Sequence, residues 1–137
     1  MNLALTLGHN SSAVLISNGT VLCGYEEERI SKIKSDSHFP QGAIEEIMKH
    51  YSLPDDINIY VSHWFTDGKL PDEVNKYWNP EYLRRKFPYM KLYSLSKDIT
   101  HHDAHAYAGM VFAADELYTN TKVIVADGFG NFGEVFS

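Results

Sequence analysis

The chain has 137 residues, 44% of them hydrophobic and 22% charged, which excludes intrinsic disorder and supplies apolar material for one globular core. Twelve Lys and Arg against 18 Asp and Glu give a formal net charge of −6, the opposite of a nucleic-acid binder's basic footprint. A lone cysteine, Cys23, excludes an internal disulfide and points to a reducing, cytoplasmic setting in which Cys23 simply packs.

The opening stretch MNLALTLGHNSSAVLIS has no basic leading segment, and Gly8-His9 interrupts it. It is expected to be a core strand rather than a signal, and no window reaches the roughly eighteen apolar residues that a membrane helix needs. Leu3–Leu7, Ala13–Ile16 and Val21–Tyr25 read as three consecutive strands, the last two joined by Asn18-Gly19, a strong hairpin signal. The polar stretch Glu26–Phe39 shows no clear period and is expected to be a loop or irregular segment. Pro40 then opens a helix whose Ala43, Ile44, Ile47, Met48 and Tyr51 recur at the spacing of one buried stripe, and Pro54 stops it.

Ile57–Val61 reads as a buried strand. Phe65–Tyr93, aromatic and punctuated by Pro71, Pro80 and Pro88, is expected to be an insertion with short helices. His101–Leu117 is rich in small residues and predicts a helix despite Gly109. Val123–Ala126 reads as a strand running into Asp127-Gly128-Phe129-Gly130, with Phe132–Phe136 as its hairpin partner. Strands and helices in this order describe an α/β domain with a mixed sheet.

Three places could carry chemistry. His101 and His105 lie at i and i+4, so a helix puts them on one face where both can ligate one divalent metal; imidazole and carboxylate ligands would not separate iron, zinc and manganese. The alternative is a surface histidine cluster, or a helix-start cap through Asp103. At the second place, Gly128 and Gly130 could turn the backbone so that amides meet a phosphate while Asp127 holds a metal, although the same residues make an ordinary hairpin turn. At the third, Gly8-His9-Asn10-Ser11-Ser12 could wrap an anion or form a plain turn held by side-chain to backbone bonds. Actin-like ATPases grip a nucleotide with a glycine-bearing hairpin near the start and an aspartate–glycine hairpin later, the order present here.

Taken together, LGHNSSAVLISNGTVLCGYEEERISKIKSDSHFP, HHDAHAYAGMVFA and VIVADGFGNFGE resemble the N-terminal part of the carbamoyltransferases of antibiotic and nodulation-factor biosynthesis. The resemblance implies an actin-like ATPase (ribonuclease H-like) mixed-sheet domain, of which this chain is the N-terminal portion. It also implies transfer of a carbamoyl group from carbamoyl phosphate, through an ATP-derived carbamoyl adenylate, to a hydroxyl-bearing small molecule. By the same resemblance, His101, His105 and Asp127 bind the metal, Gly128 and Gly130 meet the nucleotide phosphates, and His9 and Lys34 face carbamoyl phosphate. Family members are several-fold longer, so a second chain or a continuation is expected to supply the missing half, unless the chain is a non-catalytic remnant. The tRNA-modifying threonylcarbamoyl-adenylate transferases share the paired-histidine site, but the acidic balance and the Glu26–Arg29 segment speak against them.

Overall fold

A computed structural model describes residues 1–65, 68–95, 99, 101–112 and 124–125, with the side chains of 101, 102, 111 and 112 outside the description. The chain divides into two units, Met1–Leu95 and Ser96–Ser137.

The first unit is built on a mixed five-stranded sheet. Its strands are β1 (Asn2–Thr6), β2 (Ser12–Ser17), β3 (Thr20–Glu26), β4 (Asn58–Ser62) and β5 (Lys91–Ser94). They lie in the order β3-β2-β1-β4-β5. The first three form an antiparallel meander, while β4 runs parallel to β1 and β5 parallel to β4. Asn18 and Gly19 both take positive φ, 50° and 77°, as the tight turn of a twisted hairpin requires.

Period-2 alternation decides which face of the sheet is dry. Leu3, Leu5, Ala13, Leu15, Ile59 and Val61 are buried, whereas their neighbours Ala4, Val14 and Tyr60 are only half-buried. The stripe Ala43, Ile44 and Ile47 of helix α2 (Gln41–His50) joins this core. Short helix α3 (Pro80–Lys86) adds Tyr82 and Leu83, with Trp78 and Phe87 beside it. Asn79 starts α3 by accepting the Tyr82 N–H through its side chain at 3.0 Å, ahead of Pro80 at the first helical position.

Two expectations need correction. Glu26–Phe39 is not wholly irregular, because Glu27–Ser31 forms one helical turn, α1, ended by Lys32 in the left-handed conformation. Five residues are too few to show a 3.6-residue period. What organises this turn is Glu27, buried so that its carboxylate accepts from the Gly42 and Ala43 amides at 3.1 and 2.8 Å. A carboxylate on the first-turn amides of α2 also opposes the positive end of that helix's dipole, an arrangement that stabilises by about 1 kcal/mol. The region Phe65–Tyr93 contains the expected short helix and also the start of β5, whose exposed residues Lys91, Leu92 and Tyr93 carry no alternating pattern to mark a strand. Pairing with β4 creates that strand, helped by the stacked Tyr60 and Tyr93 rings 4.8 Å apart.

In the second unit, His101–Phe112 is helical (α4). The remainder of the expected His101–Leu117 helix and the hairpin at Phe132–Phe136 lie outside the described residues. Of the expected strand Val123–Ala126 only Ile124 and Val125 are described, outside any ladder.

Candidate functional site

In open α/β sheets, ligands gather beyond the carboxyl ends of parallel strands, which here are the ends of β1, β4 and β5. The Leu7 N–H donates to the Ser62 carbonyl at 2.8 Å, so β1 stays paired with β4 up to the turn Gly8–Ser11. Gly8 takes φ +119°, and a Cβ there would sit 2.3 Å from Cδ1 of Trp64, the second residue past β4. Only glycine meets both conditions. Asn10 follows at φ 57°.

Ser11 joins three segments. Its N–H donates to the Asp36 carbonyl at 2.9 Å, its carbonyl accepts from the Glu27 N–H at 2.8 Å, and its hydroxyl donates to the His38 carbonyl at 2.6 Å. The residue is fully buried. A buried hydroxyl of this kind contributes roughly 1 kcal/mol when bonded, and its loss strands the carbonyl it serves. The turn Gly8–Ser11 is thereby fastened to the segment Lys32–His38.

That segment is itself tightly wound. Lys32 and Ser35 both have positive φ, 64° and 53°, and the Ser35 N–H donates to the Glu28 carboxylate at 2.8 Å. Three non-glycine residues in the left-handed region, Asn10, Lys32 and Ser35, therefore stand on two adjoining segments. Each costs on the order of 1 kcal/mol, and such strain collects at functional sites. His9 and Lys34, both exposed, lie on these two segments.

Asp36 is buried, and its Oδ1 accepts from the His38 N–H at 2.9 Å and from His38 Nδ1 at 2.6 Å. Burial alone raises the Asp36 carboxyl, but the Ser31 hydroxyl, the His38 amide and the His38 imidazole outweigh it and hold the group below the usual carboxylate value. A carboxyl depressed by folding stabilises the native state above its unfolded pKa of about 3.9, and this contribution is lost as pH falls through the lower native value. In urea melts, the stability gap between wild type and Asp36→Asn should hold from pH 7 to about 4 and shrink below that. A gap that stays constant down to pH 2 would contradict an ionised Asp36.

His63, also buried, fixes the end of β4. Its Nδ1 accepts the Phe65 N–H at 3.3 Å, so Nε2 carries the proton and donates to the Ser94 hydroxyl at 2.7 Å; that hydroxyl in turn donates to the Gly68 carbonyl at 3.3 Å. These bonds tie the ends of β4 and β5 together, and the indole of the next residue, Trp64, stacks on Phe65 and meets Tyr77 edge-on.

The structure thus brings the His9 and Lys34 segments together in the first unit. His101 and His105 belong to the second unit, four residues apart on α4, with His105 exposed. Asp127, Gly128 and Gly130 lie outside the described residues. Among the described residues, no three His, Cys, Asp or Glu side chains form a group able to hold a metal. Sequence reasoning missed Ser11 as a joint, the Asp36–His38 pair, His63 and Trp64. The Asp-x-His spacing in Ser35–Phe39 was the one local signal for any of them.

The chain is 28% identical over 132 residues to an uncharacterized protein of Methanocaldococcus jannaschii, an alignment covering 96% of this chain and 23% of that protein. The chain therefore spans about a quarter of that relative's length. No protein-family model and no solved structure matches it.

Proposed function

We propose that the chain is the N-terminal part of an ATP-dependent O-carbamoyltransferase, with carbamoyl phosphate bound between the turn Gly8–Ser11 and the Lys34 segment. The observation that carries this reading is the Ser11 joint, which places His9 and Lys34 on adjoining, conformationally strained segments at the carboxyl end of β1. Those are the two residues that the family resemblance assigns to this anion. The mixed sheet, an antiparallel meander followed by two parallel strands, supports an actin-like (ribonuclease H-like) domain. The greater length of the archaeal relative supports a longer whole protein.

In this reading Lys34 supplies a compact positive charge for the phosphate, and the His9 imidazole donates beside it. His101 and His105, with Asp127, hold a divalent ion, iron, zinc or manganese. The helical backbone of α4 fits this role because it sets the two histidines one turn apart. When bound, the ion neutralises charge on the ATP phosphates, which the Gly128 and Gly130 amides also face. The acceptor is a hydroxyl-bearing small molecule.

Calorimetric titration of the intact protein with carbamoyl phosphate tests this reading. A charge-assisted hydrogen bond is worth about 1.5–3 kcal/mol, so His9→Ala and Lys34→Ala should each weaken binding by roughly ten- to hundredfold. Wild-type protein that takes up no carbamoyl phosphate, or two variants that bind it as tightly as wild type, would sink the proposal.

A further inference from the structure

We infer that His38, oriented by Asp36, is the proton acceptor for the water that attacks carbamoyl phosphate in the Gly8–Ser11 site, an inference that rests on the carbamoyltransferase reading.

The Asp36–His38 pair does more than close a turn. A turn needs only the bond from the His38 N–H to the Asp36 carboxylate, at 2.9 Å. The same Oδ1 also receives the imidazole Nδ1 at 2.6 Å. A carboxylate can only accept, so Nδ1 carries the proton and Nε2 of the neutral ring keeps its lone pair. The carboxylate is buried, whereas 55% of the His38 side chain is exposed. Asp36 thus anchors one edge of a ring whose other edge faces solvent. Carboxylate, Nδ1–H and a free basic Nε2 are the arrangement by which an aspartate fixes a histidine tautomer and stabilises the imidazolium that forms on proton uptake.

The pair is also tied to the proposed site. The His38 carbonyl receives the Ser11 hydroxyl at 2.6 Å and the Asp36 carbonyl receives the Ser11 amide at 2.9 Å. The pair is therefore fastened to the turn bearing His9, two residues before Ser11, and lies on the segment bearing Lys34, two residues before Asp36. Neither His9 nor Lys34 is suited to taking a proton from water while it donates to a phosphate.

The reaction requires such a group. A carbamoyl adenylate forms when a carbamate oxygen attacks the α-phosphate of ATP, so phosphate has to leave carbamoyl phosphate first. The oxygen of water bonds to the carbamoyl carbon as its proton passes to His38 Nε2. The bond from carbon to the phosphate oxygen breaks and its electron pair leaves with the phosphate. Carbamic acid gives its remaining acidic proton to solvent and becomes carbamate, and the phosphate takes up the proton from the imidazolium.

The test is phosphate release from carbamoyl phosphate by the intact protein, with ATP and a divalent metal present. A positioned general base contributes about 10²–10⁴ in rate, so His38→Ala should lower kcat at least a hundredfold with KM within about threefold. Added imidazole should restore part of the rate in His38→Ala but not in Lys34→Ala, a recovery that a purely structural role for His38 would not produce. Asp36→Asn, which still fills the buried position, should fall between wild type and His38→Ala. A wild-type rate in His38→Ala, or a loss that imidazole does not repair, overturns the role of His38 and leaves the carbamoyl reading standing. Wild-type protein that releases no phosphate overturns both.

Discussion

Gly8→Ala should cost about 2–6 kcal/mol of unfolding free energy, a large part of the 5–15 kcal/mol that holds a domain of this size together. Two separate penalties add. At φ +119° an L side chain sits in a region of backbone space reserved in practice for glycine, at about 1–3 kcal/mol. The added methyl would also lie 2.3 Å from the Trp64 indole, and forcing extra volume into a filled contact typically costs another 1–3 kcal/mol. Trp64 is half-exposed and can yield only by leaving Phe65 and Tyr77, against which its ring packs. Urea denaturation of Gly8→Ala, Trp64→Ala and the double variant separates the two terms. Removing the indole relieves the contact and leaves the φ strain, so the double variant should be more stable than the sum of the single losses predicts. Strict additivity, or a Gly8→Ala loss under about 0.5 kcal/mol, would mean that the turn is not held as described.

Substitutions at Gly8 also bear on function, because everything at the carboxyl end of β1 hangs from this turn. Ser11 can reach the Asp36 and His38 carbonyls only if the chain reverses at Gly8 and Asn10. A variant that folds but relaxes this reversal should lose carbamoyl phosphate binding more steeply than stability. His9 and Lys34 would then no longer lie on fastened segments.

The first three strands, the α2 stripe and β4 were legible because their signals are local: alternation, an Asn-Gly turn, and apolar residues at three- and four-residue spacing. What escaped was non-local. Glu27 looks like one charge among the acidic residues of Glu26–Arg29, and only the fold shows that it is buried on the first-turn amides of a helix that begins fourteen residues later. His63 and Ser94 are 31 residues apart and meet because β4 and β5 run parallel with their ends level. Likewise β5 is made by its neighbour rather than by its own composition. His9 and Lys34 came from a family resemblance, and the joining of their two segments rests on Ser11, a small residue that composition and periodicity do not single out.

Metal content gives the second large effect. On α4 the backbone is helical from His101 to Phe112, so residues 101 and 105 are separated by one turn plus about 40° of rotation and share a face. In the proposed enzyme the two histidines supply half of a tetrahedral ligand set and Asp127 adds a carboxylate. Removing one histidine weakens such a site; removing both takes away the nitrogen ligands that favour a transition metal over magnesium or calcium. Intact protein carrying His101→Ala and His105→Ala should therefore fall from about one equivalent of iron, zinc or manganese to background after dialysis, read by elemental analysis. Bound metal at wild-type stoichiometry in the double variant would remove these histidines from the site. It would leave the roles of His9 and Lys34 untouched, since both residues lie in the first unit.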